Sequence, residues 1–155
     1  MRKLLSTFLV VLCAISFISC DEPIPSHAEI RIPLENYSEI EAEGFDKAYS
    51  AAGSVVAVLR ISFEAGFNQG IPETFSPRKF AEFYLKESGR DCEIFEVGYI
   101  PYYEYVETGV YHLASFYRSK YAYFLVLFGA EESAAEDLRD DFISIAESIY
   151  FVYDK

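Results

Sequence analysis

The sequence contains few cysteines, three among 155 residues. Cys13 lies within an apolar N-terminal run and Cys20 ends that run, so Cys92 is the one cysteine in the body of the chain. One thiol cannot form an internal disulfide. The fold must therefore be stabilised by its core, and 13 tyrosines and 14 phenylalanines supply ample apolar area for one.

Basic residues are also scarce. The chain has 13 Lys and Arg against 25 Asp and Glu, which gives a formal net charge of −12. A protein of this charge repels phosphate backbones and anionic lipid headgroups. We therefore expect no nucleic-acid partner, and attachment to a membrane would require acyl chains rather than a basic patch.

The motifs of familiar active sites are missing from the sequence. There is no phosphate-binding glycine loop, no G-x-S-x-G and no H-E-x-x-H. Cys92 and His112 are the candidates for a nucleophile–base pair, but no glycine-rich elbow surrounds Cys92. The alternative is a buried apolar cysteine and a hydrogen-bonded strand histidine. We expect no enzymatic activity and no cofactor.

Metal-binding patterns are missing as well. The acidic residues at 131–141 lack the D-x-D-x-D-G spacing of a calcium loop, and acids at this position are typical of a solvated helix face. His27 has neither a cysteine nor a second histidine nearby with which to bind zinc. The sequence therefore predicts no metal site.

The N-terminal segment has the layout of a secretory signal peptide. Arg2 and Lys3 precede an apolar run over 4–18, and Ser19-Cys20 follows it. The run has about fifteen residues, fewer than the roughly 20 that a membrane-spanning helix needs. The segment resembles the signal peptide of bacterial lipoproteins, although Phe17 stands where that family usually has leucine.

The lipoprotein resemblance implies a domain organisation and a location. Residues 1–19 would be removed as the signal peptide, and Cys20 would carry the lipid that attaches the chain to a membrane of the bacterial cell envelope, on its periplasmic or extracellular face. Residues 20–27 would be the lipidated cysteine and a tether, of which 21–26 can reach roughly 20 Å. Asp21 resembles an inner-membrane retention signal. Residues 28–155 have the length of one domain.

Hydrophobic patterning predicts strands over most of this domain. Alternating apolar residues favour strands at 30–34 and 54–63, while residues 36–53 fit either a short helix or a hairpin. Three or four further strands are predicted after a long loop and a helix, over the segments 92–99, 102–108, 110–118 and 121–129. The last of these is apolar on both faces, as is typical of a central strand covered by helices.

Two helices are predicted. Ser76-Pro77 and Gly89 are start and stop residues for one helix, over about 76–89. Ser133 and Glu136 form a capping box for a second helix over about 134–149, in which Phe142 lies in an apolar stripe. These elements predict an α+β fold, with an antiparallel sheet packed by two helices.

The order of these elements, with the ending Ile145–Phe151, resembles the PsbP-like fold, which is shared with the Ran-binding Mog family and with several bacterial envelope lipoproteins. Members of that fold act mostly as binding or assembly modules. The resemblance therefore implies a binding role for residues 28–153, and it assigns no site residue.

The segment 99–105 is the most unusual in composition, since it contains four tyrosines. On a strand, Tyr103 and Tyr105 share one face and Tyr102 lies on the other. With Tyr99, these residues are candidates for a protein-binding surface. The alternative is cross-strand aromatic packing, which stabilises a sheet without any partner.

The loop predicted at 64–75 is the second candidate binding region. Phe67 and Phe75 lie near its two ends, and loops on rigid scaffolds often bind partners. The alternative is a plain connection whose phenylalanines pack under the sheet.

The sequence as a whole predicts a lipid-anchored, non-enzymatic envelope lipoprotein that binds another envelope protein as an assembly module. The alternative is a small-ligand binder with an aromatic pocket between the sheet and the 76–89 helix.

Overall fold

The structure is a computed structural model, and it describes residues 28–153. The predicted signal peptide, Cys20 and the tether to residue 27 lie outside the described residues. Within 28–153 the elements follow in the order β1 (Glu29–Arg31), β2 (Ser38–Ile40), β3 (Lys47–Ala51), β4 (Ser54–Ser62), α1 (Phe63–Asn68), α2 (Pro77–Ser88), β5 (Phe95–Val97), β6 (Ile100–Glu107), β7 (Val110–Arg118), β8 (Ala122–Glu131), a 3₁₀ helix (Glu132–Ala134), α3 (Ala135–Ser148) and β9 (Tyr150–Val152).

Seven of the strands form one antiparallel sheet in the order β2-β3-β4-β8-β7-β6-β5. β8 is the central strand, and its first nine residues are buried, as its two apolar faces predict. β1 and β9 pair with each other in a separate two-stranded sheet. The α+β fold with an antiparallel sheet is therefore confirmed.

The core has two layers, one on each face of the seven-stranded sheet. Side chains alternate along β4, so that Val55 and Ala57 lie in the layer with α2, while Val56 and Val58 lie in the layer with α3. All four are at most 4% exposed. Both faces of the sheet are thus covered, which explains why β4 and β8 are apolar on both sides.

Helix α2 begins and ends where the sequence predicts. The Ser76 Oγ accepts a hydrogen bond from the backbone N–H of Lys79 at 3.2 Å, and Pro77 occupies the first helical position. Gly89 ends the helix with a φ of +66°, a conformation that glycine adopts without steric cost. Phe80, Ala81 and Tyr84 are the residues that this helix buries.

The segment predicted as a loop at 64–75 is partly helical, and that prediction was wrong in this respect. Helix α1 begins after Ser62, whose Oγ accepts from the N–H of Ala65 at 3.1 Å. Gly66 allows a close return of the chain, because a Cβ there would lie 3.1 Å from the carbonyl oxygen of Ile71. Ile71 is completely buried as a result.

The β5–β6 hairpin differs from the prediction in its register. The turn is Gly98-Tyr99, whereas Ile100 and Pro101 lie inside β6. Proline is tolerated at this position because the β6–β7 pairing begins only at Tyr102, so no ladder bond of that pair is lost. β5 is also shorter than the strand predicted at 92–99.

The predicted capping box does not form. The chain leaves β8 through the 3₁₀ helix that contains Ser133, and α3 begins after Ala134 without a side-chain cap. The apolar stripe of this helix is nevertheless correct. Phe142 and Ile149 are buried, and Leu138 and Ile145 pack against the same core.

The two ends of the described chain lie side by side. The strand predicted at 30–34 is β1, which is shorter and pairs with β9 in the register Glu29 to Val152 and Arg31 to Tyr150. Ile30 is buried beneath this pair. The ambiguous segment 36–53 contains the β2–β3 hairpin.

Candidate functional site

The four candidate tyrosines do not form one surface. Tyr99, in the β5–β6 turn, is 97% exposed, whereas Tyr102 and Tyr103 are buried on opposite faces of the sheet and Tyr105 is half-buried. The Tyr103 ring lies 5.9 Å from the Tyr105 ring and 5.4 Å from the Phe116 ring. For Tyr103 and Tyr105, these contacts favour the cross-strand packing alternative.

The two candidate phenylalanines also differ. Phe67, on α1, is 73% exposed, while Phe75 packs against the α2 layer of the core. The Tyr123 hydroxyl donates to the carbonyl oxygens of Pro72 at 2.8 Å and Phe75 at 3.0 Å. These bonds hold the segment after α1 against the end of the sheet, so Phe67 is presented from a fixed backbone.

Cys92 and His112 lie in environments that suit a structural role. Burial raises the pKa of the Cys92 thiol, which makes the thiolate nucleophile scarcer. His112 is completely buried, and burial lowers its pKa to about 4. Its ring stacks on Tyr105 at 4.7 Å between centroids. A neutral, stacked imidazole fits an aromatic core, so these contacts favour a packing role for His112 over a nucleophile–base pair.

Arg90 lies at the outer side of the cluster formed by Tyr103, Tyr105 and His112. Its guanidinium lies 4.2 Å from the centroid of the Tyr105 ring, and its Nη2 donates to the Glu107 carboxylate at 2.6 Å. Burial raises the pKa of Tyr103 to about 12, so this hydroxyl stays neutral. The cluster therefore consists of neutral rings capped by one ion pair.

A different group of residues forms an apolar surface on the outer hairpin of the sheet. Phe95 pairs with Tyr102 and Val97 with Ile100, so these side chains share one face with Val106, the face on which α3 packs. Phe95 is 40% exposed and Val106 is 50% exposed. We call Phe95, Val97, Ile100 and Val106, together with the buried Tyr102 between them, the hairpin surface.

A polar network joins the hairpin surface to α3. The Arg139 guanidinium donates to both carboxylate oxygens of Glu104, at 2.7 to 3.1 Å, and the Tyr111 hydroxyl donates to Glu104 Oε2 at 2.9 Å. The hydrogen bonds with Glu104 raise the pKa of Arg139. A bidentate pair of this kind fixes the position of α3 against β6.

The sequence reasoning missed Phe95, Val106 and Arg139 as members of a surface. The alternation that places Tyr102 and Val106 on one face was already visible, and what the Gly98-Tyr99 turn adds is the register that places Phe95 opposite Tyr102. Arg139 is contributed from a distant helix, and no local pattern identifies its partner.

The space between α2 and the sheet is filled by aromatic rings. The completely buried Phe80 ring lies 5.4 Å from both Tyr84 and Phe116 and 4.8 Å from Tyr123. This is where the small-ligand alternative places its pocket, and here the side chains pack on one another.

Residues 28–153 contain neither a metal-binding cluster nor a helix that could span a membrane. No group of three or more His, Cys, Asp or Glu side chains within this range is placed to hold a metal ion. None of the helices in the same range is long and apolar enough to span a membrane.

No family model and no curated protein matches the chain. It is similar to a number of solved structures, two of which illustrate the likeness. One is the solution structure of cyanobacterial PsbP (CyanoP) from Synechocystis sp. PCC 6803, with 11% identity and a TM-score of 0.49 over 86% of this chain and 98% of that one. The other is the crystal structure of LpqN, involved in cell envelope biogenesis of Mycobacterium tuberculosis, with 13% identity and a TM-score of 0.47 over 83% of this chain and 86% of that one. At these identities the similarity is one of chain path, and function does not follow from it.

Proposed function

We propose that this chain is a lipid-anchored, non-enzymatic protein of the bacterial cell envelope that binds another envelope protein through the hairpin surface. The anchor is supported by the N-terminal sequence, in which a short apolar run ends at Ser19-Cys20. The observation that carries the binding role is the group of partly exposed apolar side chains on the β5–β6 hairpin, at the edge of the sheet.

The residue types of this surface support a protein partner. Its apolar members are adjoined by Tyr111 and Arg139, and aromatic residues and arginine are enriched at the centres of protein interfaces. The Arg139–Glu104 pair already holds α3 against the hairpin. Association therefore costs little ordering entropy on this side of the interface.

The location of the surface also supports a protein partner. β5 is the last strand of the sheet, and no further described strand pairs with its outer edge. Exposed sheet edges and exposed apolar residues are the features that partners of sheets contact. The small-ligand alternative has no such support, because Phe80 and its neighbours fill the space it requires.

Photo-crosslinking in native membranes tests the binding role. A benzophenone amino acid is placed at Phe95 or at Val106 in the full chain, and the matched control carries it at the exposed Glu39 on β2, the opposite edge of the sheet. We expect one covalent adduct of the same mass from both hairpin positions and none from Glu39. Val106→Glu should abolish the adduct formed from Phe95.

Two results would contradict the binding role: no adduct from either hairpin position, or the same adducts from Glu39. The anchor is tested separately by incorporation of labelled palmitate. Cys20→Ser should abolish the label, and a chain that carries no label even with Cys20 intact would refute the anchor.

A further inference from the structure

Both ends of the described chain lie at one end of the seven-stranded sheet. The β7–β8 turn at Ser119–Tyr121 forms part of this end, and the Tyr153 ring lies 6.4 Å from the Tyr121 ring. Because β1 runs antiparallel to β9 with Glu29 opposite Val152, Ala28 lies beside Tyr153. We call this region, which includes α1 and the Gly98-Tyr99 turn, the Tyr121 end.

The pairing registers place α1 and the Gly98-Tyr99 turn at the same end. Ser62, the residue before α1, is opposite Ala122. Tyr102 is opposite Ser115, so counting back along this antiparallel pair brings Tyr99 level with Arg118, at the end of β7. Four separate segments of the chain therefore meet at the Tyr121 end.

Each of these segments exposes an aromatic side chain there. Phe67 is 73% exposed, Tyr99 is 97%, Tyr121 is 38% and Tyr153 is 45%. Val152, next to Tyr153, is 41% exposed. Of the large apolar side chains that the described residues expose, most lie at this end, and Val106 lies in the opposite half of the sheet.

Charge is also distributed unequally between the two ends. At the Tyr121 end, two exposed bases, Arg118 and Lys120, lie among three exposed acids, Glu64, Glu73 and Glu147, of which Glu147 approaches Gly98. The opposite end holds the Thr108-Gly109 turn and the start of α3. The exposed charged residues between 131 and 137 at that end are all acids: Glu131, Glu132, Glu136 and Asp137.

We propose that the Tyr121 end rests on the bilayer surface, with Phe67, Tyr99, Tyr121 and Tyr153 at the level of the lipid headgroups. This inference rests on the lipid anchor of the proposed function. The eight steps from Cys20 to Ala28 span at most about 28 Å, so the anchor holds this end of the domain near the membrane.

Physical chemistry favours this orientation over its reverse. Tyrosine is enriched at membrane interfaces, because its ring is apolar and its hydroxyl remains hydrated. The acidic end then points away from the membrane, which lowers the repulsion between a strongly acidic domain and anionic lipids. The strands stand roughly upright, and the hairpin surface faces sideways towards proteins in the same membrane.

The absence of tryptophan from the sequence gives a clean test. Single-tryptophan variants Phe67→Trp and Tyr121→Trp report on the Tyr121 end, and Val106→Trp is the control because Val106 is also exposed but lies in the other half of the sheet. Each full, lipidated chain is placed in phosphatidylcholine–phosphatidylglycerol vesicles whose phosphatidylcholine carries brominated acyl chains.

We expect the emission of Phe67→Trp and Tyr121→Trp to shift to shorter wavelength on vesicle binding. Bromine should quench both several-fold more strongly than it quenches Val106→Trp. If Phe67→Trp does not fold, Tyr99→Trp replaces it, since that side chain is almost fully exposed.

The outcomes separate the orientation from the anchor. Suppose that the intact mass includes the diacylglyceryl group, but bromine quenches all three tryptophans equally or quenches none of them. This result overturns the orientation and leaves the anchor standing. A mature chain without the lipid overturns both. Reporters that are shielded from aqueous acrylamide in native membranes, yet not quenched by brominated lipid, would show that a protein covers this end, and would overturn the proposal.

Discussion

The two faces of the seven-stranded sheet are stabilised in different ways. Beneath α2, the Phe80 ring meets Tyr84 and Phe116 at 82° and 87°, the edge-to-face geometry that aromatic pairs favour. Beneath α3, Phe142 stacks on Phe128, while a hydrogen-bonded carboxylate, Glu104, holds the helix at its side.

This difference separates the closed part of the molecule from the part that leaves apolar side chains exposed. The rings under α2 fill their layer with one another. Helix α3 packs mainly on β7 and β8, and the outer hairpin beyond it keeps Phe95 and Val106 partly exposed. The tyrosine-rich segment belongs to both faces, which is why its composition alone could not assign it to a core or to a surface.

The largest expected loss of stability comes from removing a buried ring beneath α2. Phe80→Ala should lower the free energy of unfolding by about 3 to 5 kcal/mol, because it removes a completely buried ring and leaves a cavity. Val106→Ala on the other face should cost less than about 1 kcal/mol, because that side chain is half exposed. Urea denaturation of both variants measures the contrast, and similar losses would show that the faces are not stabilised differently.

The second expected effect is a pH dependence that originates on the α2 face. Burial lowers the pKa of His112 to about 4, below its ordinary value of 6.5, so the unfolded chain binds the extra proton first. The stability is complete above pH 6.5 and falls as the pH decreases towards 4, by about 3 kcal/mol for this group.

Comparison with a variant isolates the contribution of His112. His112→Phe and His112→Gln should both flatten the fall in unfolding free energy between pH 7 and 4 relative to the original chain. The measured quantity is the slope against pH, so it is informative even if a variant is less stable throughout. An unchanged slope in both variants would mean that His112 is not the group responsible.

The smallest effect distinguishes the starts of the two helices. Ser76→Ala should destabilise the protein by about 1 kcal/mol, because the Ser76 hydroxyl caps α2. Ser133→Ala should change little, because Ser133 lies in the 3₁₀ helix before α3 and makes no cap bond. Thermal unfolding of the pair provides the measurement, and equal shifts in Tm would refute the assignment of the caps.

Sequence patterns predicted the elements whose causes are local. Ser76-Pro77 and Gly89 define the start and end of α2 through capping. The unbroken apolar run of β8 indicates a strand with both faces covered by helices. The apolar stripe containing Phe142 identified the inner face of α3, because apolar residues at helical spacing face the core.

The elements that were missed depend on contacts between distant residues. β9 has three residues, and it exists as a strand because β1 pairs with it from the other end of the domain. Helix α1 was missed, because the Ser62 hydroxyl at the end of β4 caps it only where the chain bends over Ile71. The turn of the β5–β6 hairpin is displaced by two residues from its predicted position, which changes the partner of Phe95.

The pairing of β1 with β9 has a mechanical consequence. A pull applied to the N-terminal side of the domain loads three residue pairs before it reaches any strand of the large sheet. If these pairs separate, residues 28–36 can lengthen the connection by at most about 30 Å while the seven-stranded sheet remains intact. The domain would thus have a built-in extension, and tension on its N-terminal side would be absorbed there before it reached the proposed binding surface.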